Sequence, residues 1–435
     1  MHDVQFITLA PGHFHAALVH QQMYPGVAPR VHVYAPLGDD LLAHVHRILA
    51  FNTRPNQPTR WELEIHACPD FLPRLVSEKP GNAVVLAGRN RDKIDFILAA
   101  LNAGFHVLAD KPWIIRAEDQ PKLESALALA EERGLVAFDM MTERHEITSI
   151  LQKELIHDAA VFGTILPGTE TEPGVYMESV HFIKKRVAGA PLRRPAWFFD
   201  TTQVGEGLAD VGTHLVDLVH WTLFPTPDLD HRRDLRVLSA RRWPTVISRT
   251  DFESVTGQTD FPDFLAPYLQ ADGLHFVCNT QVSYTLRGIH VTLEVRWDYE
   301  SKVGGGDTHR AVYRGSRSRL EVRQGPEENY RPELYVVPNS AAEAAAVAAA
   351  LKRRVSAWQA DYPGVQCRDR SDGWQVLVPD VYRVGHEAHF AQVTRQFLGY
   401  LRQPGSLPKW ERPLMLAKYL VTTEGVRRAE TVARC

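Results

Sequence analysis

The sequence is short of the features that mark a specialised surface or compartment. Its 49 basic and 52 acidic side chains nearly cancel, leaving a net charge of −3. That balance gives no electrostatic footprint for nucleic acid or an anionic membrane, and neither partner is expected. No apolar run approaches the ~20 residues that a membrane-spanning helix needs. The opening MHDVQFITLAPG has no basic leader and only a brief apolar run, so no signal sequence is expected and the cytoplasm is the default compartment. The four cysteines, Cys68, Cys278, Cys367 and Cys435, form no C-x-x-C pair. Neither a disulfide framework nor a thiolate zinc site follows from them.

What is present is an ordinary globular composition, 44% apolar and 23% charged, in a chain of 435 residues. That length favours two domains over one. The first third alternates strands with helices. Strand character appears at 4–10, 31–36, 83–88, 106–111 and 135–141, and helical spacing at 41–51, 93–104 and 119–134. HFHAALVHQQMY is expected to be the helix after the first strand. This alternation predicts an α/β fold with a doubly wound, Rossmann-like parallel sheet over 1–145. From 146 to 435 the texture changes. A helix at 207–222 precedes alternating runs such as 274–286, 289–300 and 319–325, which read as an open, mainly antiparallel sheet. The alanine-rich 340–358 is a helix by propensity, and 386–402 is a last helical stretch. The Gly-, Arg- and Ser-rich 301–330 is expected to be a loop.

Two stretches carry chemistry. In FHVLADKPW, Lys111 ends a strand of the parallel sheet, where ligands of doubly wound folds bind. Pro112 disfavours the α region at Lys111, so the lysine is aimed outward as a point charge for a cofactor or a developing alkoxide. In GEGLADVGTHLVDLVHW, Asp210, His214 and Asp217 fall at i, i+4 and i+7 of a helix, one face. A carboxylate one turn before a histidine fixes its tautomer and raises its basicity, which suits a general base.

The runs AGFHVLADKP (103–112) and GLADVGTHLVD (207–217) resemble the two signatures of the glucose–fructose oxidoreductase / inositol dehydrogenase family, in the expected order. The resemblance implies a nicotinamide-binding domain followed by a substrate domain, a sugar, glycoside or polyol substrate, and dimers or tetramers formed through the open sheet. It implies NAD or NADP as cofactor, with NAD slightly preferred. By motif position, Lys111 would contact nicotinamide and substrate. Asp210 and His214 would be the acid/base pair, with Asp217 beside them on the substrate side. Asn90 and its neighbour Arg89 would lie near the cofactor.

The chain departs from that pattern after the first strand. The family's glycine-rich loop lets backbone N–H groups approach pyrophosphate. Here the loop is APGHFH, with Gly12 alone, and Gly12, His13, Phe14 and His15 are left as the cofactor contacts. The second strand ends in Ala35-Pro36, with acids only at Asp39-Asp40, and the lysine motif carries Asp110 where the family has Glu. His13-x-His15 and His44-x-His46 offer no third ligand in sequence, so no metal site is expected. The basic and aromatic segment 177–200 contributes His181 and Lys184 as substrate candidates, on one face if the segment is helical.

Three functions are compatible with these residues. One is an NAD(P)-dependent oxidoreductase oxidising a secondary alcohol, with His214 as base. The second recycles a bound cofactor through a transient keto-sugar, giving net elimination, epimerisation or glycoside cleavage. The third is a non-catalytic sensor of dinucleotide or sugar.

Overall fold

The computed structural model describes residues 3–187 and 190–432 and divides into two compact units. The first comprises the chain up to Thr142 together with Gly385–Arg412, and the second comprises Glu143–Val384 and the chain from Pro413. The boundary expected at 145/146 lies close to the first crossing. The second region is not one continuous stretch, because 385–412 belongs with the parallel sheet.

The first unit runs β1 (Phe6–Leu9), α1 (His15–Leu18), β2 (Arg30–Ala35), α2 (Asp39–Thr53), β3 (Glu62–Ala67), α3 (Phe71–Glu78), β4 (Ala83–Leu86), α4 (Lys93–Asn102), β5 (His106–Ala109), α5 (Gln120–Glu132) and β6 (Ala137–Asp139). The strands form one sheet in the order β3-β2-β1-β4-β5-β6, every neighbour parallel. This is the doubly wound nucleotide-binding order. β1 and β4 are buried at every residue, as strands covered on both faces must be. Their side chains join Val31, Val33 and Leu108 in a core that also takes Phe390, Val393 and Phe397 from the returning segment.

Two elements differ from the sequence expectation. The helix after β1 lasts only four residues, because His15 to His20 are buried without a polar face and the chain then turns. β3 and α3 were not anticipated. β3 is an edge strand whose sequence ELEIHA mixes acids with apolar residues.

The second unit runs α6 (Ile147–Ile156), β7 (Val175–Lys184), the short pair β8 (Arg186–Val187) and β9 (Ala190–Pro191), α7 (Thr201–Val204), α8 (Gly212–Leu223), β10 (Leu235–Ile247), α9 (Arg249–Thr256), β11 (Leu269–Gln270), β12 (Gly273–Leu286), β13 (Ile289–Glu300), β14 (Thr308–Arg314), β15 (Ser318–Gln324), β16 (Glu333–Pro338), α10 (Ala341–Trp358), β17 (Gln366–Arg370) and β18 (Gly373–Leu377). After α11 (His386–Arg402), which belongs to the first unit, the chain ends with α12 (Glu411–Arg428) and β19 (Glu430–Thr431). Eleven strands make a mixed, mostly antiparallel sheet in the order β17-β18-β16-β15-β14-β7-β13-β12-β10-β19, with β11 on β12. The expected loop at 301–330 instead contains β14 and β15. Arg319 and Arg323 there converge on the buried Glu321 at 2.5 and 2.9 Å, so the arginines neutralise an inward acid. Among the described residues, no helix is long and apolar enough to cross a membrane.

Candidate functional site

In the first unit the candidate residues gather at the carboxyl ends of β1, β4 and β5. The loop after β1 folds back on β4. The Gly12 and His13 amides both donate to the Ala87 carbonyl at 3.1 Å, and the Ala10 amide donates to Tyr34 at 2.9 Å. Ala10 sits at φ 46°. The approach is close enough that a Cβ on Gly88 would lie 2.3 Å from the Ala10 carbonyl oxygen. The amides that a glycine-rich loop offers to an anion are therefore committed inside the protein.

The side chains of that loop turn toward the lysine motif. The His15 ring Nδ1 donates to Asp110 Oδ2 at 2.9 Å, and His13 Nδ1 stands 3.6 Å from the same oxygen. The two imidazoles meet edge to face at 4.0 Å, and His15 stacks obliquely on Phe390 at 4.3 Å. Asp110 is buried, with its backbone amide held by Leu86 at 2.7 Å. Beneath it lies Lys93, only 1% exposed, which donates to Asn90 Oδ1 at 2.6 Å and to the Asp110 carbonyl at 2.9 Å. Lys111 follows, largely buried, on a cis bond to Pro112, and Trp113 closes the turn by donating to Ala109 at 3.2 Å. Arg89 is exposed and pairs with Asp40 at 3.3 Å. The sequence names Asn90, Lys111 and the loop residues as candidates but gives no sign of Lys93, because a lysine at a helix start ordinarily reads as solvated.

A nicotinamide dinucleotide fits these strand ends in one part and not in another. Asn90, Lys111 and the buried cation Lys93 line the place where doubly wound folds bind ligands. The usual pyrophosphate cradle is missing, since its amides bond to Ala87 and α1 is a single turn. A pyrophosphate there would rely on side chains rather than on the Gly12 and His13 amides, which bond to Ala87.

In the second unit, α8 begins at Gly212, so Asp210 lies in the turn before it rather than on the helix. The winding is nonetheless continuous, with Asp210 N bonded to Glu206, Gly212 N to Gly207 and His214 N to Val211, each at 3.0 Å. Asp210 and His214 are both half-buried. Asp217 is different. It is 2% exposed, gripped by Arg144 at 2.6 and 2.7 Å and by Lys418 at 2.9 Å. Burial raises its carboxyl, but the two cations outweigh burial and hold it well below the ordinary range. The expectation that Asp217 stands beside substrate is corrected: its carboxylate is sealed inside the unit, where it anchors α8.

His181 and Lys184 also separate. Their segment is the strand β7, not a helix, and residues three apart on a strand face opposite sides. Lys184 is exposed and paired with Glu300 at 2.9 Å. His181 donates from Nδ1 to Asp307 at 3.0 Å, meets Ser179 Oγ at 2.8 Å and packs on Trp297 at 5.1 Å. Lys185 binds the same Asp307 oxygen at 3.0 Å. Burial raises the Asp307 carboxyl, and His181 and Lys185 more than reverse that. Arg194 completes the cluster. Burial pushes its guanidinium down to about 10, against the pull of Asp210 and Asp307. It is fixed by donating to Ile183 at 2.7 Å and by stacking on Phe198 at 4.3 Å. Arg194 lies in the basic and aromatic segment 177–200, where His181 and Lys184 were the preferred residues, and Asp307 lies in the stretch expected to be a loop.

A family model described as the putative oxidoreductase C-terminal domain matches residues 151–430. The chain belongs to that family, which makes it an oxidoreductase-family protein with a Rossmann-like first unit. A putative oxidoreductase from Parabacteroides merdae ATCC 43184 is 45% identical, with 98% of each chain covered and a TM-score of 0.95. Two distant structures share the fold. KijD10, a 3-ketoreductase from Actinomadura kijaniata in complex with NADP and TDP-benzene, is 17% identical, with 99% of each chain covered and a TM-score of 0.55. GenD2 from gentamicin A biosynthesis, in complex with NAD, is 14% identical, with 99% of this chain and 95% of that one covered and a TM-score of 0.58. No curated protein matches the sequence.

Proposed function

We propose that the protein is an NAD(P)-dependent oxidoreductase acting on a secondary alcohol of a sugar, glycoside or polyol. The observation that carries this reading is the strand-end cluster in which the buried Lys93 and His15 fix Asp110, the residue before the largely buried Lys111. Bound NAD or NADP supplies the hydride acceptor, or the donor in the reverse direction. His214 takes the hydroxyl proton onto an imidazole nitrogen as the carbonyl forms, and Asp210 one turn earlier supports the resulting positive charge. Lys111, in the first unit, is the cation suited to steady a developing negative charge. Asp307 with His181, and Arg194, present alternating acceptors and donors suited to hydroxyl groups. Distant fold relatives solved with NADP and TDP-benzene or with NAD are consistent with this class of ligand.

The test is to denature the purified protein, identify any released nucleotide by mass spectrometry, and titrate the stripped chain with NAD(H) and NADP(H). Retained or saturable nucleotide is expected, with turnover lost by about 100-fold or more in Lys111→Ala and His214→Ala. A tightly retained nucleotide with no need for added cofactor would favour the recycling variant of the same chemistry. Absence of binding by either nucleotide sinks the proposal.

A further inference from the structure

On the outer edge of the parallel sheet, two strands in register bring together residues that lie far apart in sequence. His32 of β2 stands beside Glu64 of β3, and Tyr34 beside His66. All four share one face, since residues two apart on a strand point the same way. His32 Nδ1 and His66 Nε2 are 3.4 Å apart. His32 Nδ1 lies 3.7 Å from Glu64 Oε2, and His66 Nε2 lies 3.6 Å from Glu64 Oε1. The imidazole separation is longer than the ordinary N–H hydrogen-bond range of about 2.7–3.2 Å. It matches the spacing of donors held about 2.0–2.2 Å from a shared tetrahedral ion, which comes to about 3.3–3.5 Å.

We propose that His32, His66 and Glu64 form a binding site for a divalent ion of the zinc class, distinct from the strand-end cluster of His13, His15 and Asp110.

The surroundings support a built site. The other ring nitrogen of His66, Nδ1, faces Glu78 Oε2 at 3.8 Å. That carboxylate is fixed by the Tyr34 hydroxyl at 2.5 Å and by Arg74 at 2.6 Å. A carboxylate behind a ligating imidazole sets its tautomer and orientation. Tyr34 also stacks on the His66 ring at 4.1 Å and 7°, so the ring cannot swing away. Both imidazoles are nearly buried, so their ring nitrogens are shielded from solvent on all sides but that of Glu64. Glu64 is about half exposed and also faces Arg30 at 3.8 Å. Its side opens to solvent, where water completes the shell. Such an ion would fasten the edge strand β3 to β2 without touching the chemistry at the strand ends.

The whole chain is stripped with chelator and titrated with zinc by calorimetry, then with cobalt, whose visible absorption reports tetrahedral coordination. A single equivalent with tetrahedral bands is expected. His66→Gln should abolish it. Glu78→Gln, which removes no ligand, should weaken it by about 10–100-fold and guards against a folding failure in the ligand variant. His15→Asn should leave it unchanged. No saturable binding, or binding lost in His15→Asn and kept in His66→Gln, overturns the proposal.

Discussion

Acid should destabilise this protein through buried histidines. His20 and His44 in the first unit, and His220 in the second, are pushed down to about 3, and His309 to about 4. Burial is the main cause in each case. His20 hydrogen-bonds Thr8 at 3.1 Å, and among the described residues neither ring nitrogen of His44 or His220 has a hydrogen-bond partner. Unfolded, each ring takes up a proton near the ordinary imidazole value of 6.5. Between the two values the unfolded chain binds more protons, so stability is full above pH 6.5 and falls as pH falls toward the folded value. From pH 7 to pH 5 the loss is about 2 kcal/mol per ring, hence about 4 kcal/mol for the pair in each unit. Domains are stable by only about 5–15 kcal/mol, so the effect is large. Glu146 and Glu206 work the other way in the second unit, because burial raises both.

A single-residue comparison is therefore the deciding measurement. His44→Leu removes one proton of uptake and leaves no partner behind. Its stability at pH 7 should stay close to the parent's, and it should lose about 2 kcal/mol less than the parent between pH 7 and pH 5. Urea unfolding followed by far-UV circular dichroism at the two pH values reads this directly. If His44→Leu shows the same acid loss as the parent, or the parent loses under about 1 kcal/mol, the reasoning is refuted.

Two further outcomes follow from packing. Gly88→Ala places a methyl against the Ala10 carbonyl and should displace the loop after β1, costing about 1–3 kcal/mol; nucleotide titration should show weakened binding alongside the lower urea midpoint. Asp217→Asn removes the buried carboxylate that Arg144 and Lys418 share and should cost about 3–5 kcal/mol; an unchanged urea midpoint would contradict the account of that cluster.

The sheet of the first unit was legible because its central strands are buried on both faces. AVVL and HVLA announce themselves as continuous apolar runs. The edge strand ELEIHA did not, because none of its residues is buried and four of the six are exposed. The fate of 301–330 was hidden by composition. Its Gly, Arg and Ser content reads as a loop, yet two of its arginines bind an inward acid that no local pattern reveals. The return of 385–412 to the first unit was equally invisible, since helical periodicity gives a helix but not the surface it packs on. At the site, the one-dimensional signals name Lys111, Asp210 and His214 as candidates. They could not separate Asp217 from them, because i+7 spacing does not say which end of a helical stripe is covered. Lys93 and Asp307 depend on partners 17 and 126 residues away, a distance at which spacing carries no information.

The strand-end cluster shows why such remote partners matter for function. A free lysine side chain carries about 2 kcal/mol of rotamer entropy, and a charged group that wanders stabilises a developing charge poorly. Here the backbone before Lys111 is fixed from below by Lys93, and the acid before it is fixed from the side by His15. Burying a lysine and an aspartate within a few ångströms is costly unless both are well bonded, and it contributes nothing that apolar packing would not supply more simply. Its return is positional: the same bonds that satisfy Lys93 and Asp110 settle where the Lys111 backbone lies before any ligand arrives. The loop after β1 follows the same logic. Its amides brace the loop against β4 through Ala87, which makes the position of His13 and His15 a property of the fold rather than of a bound anion.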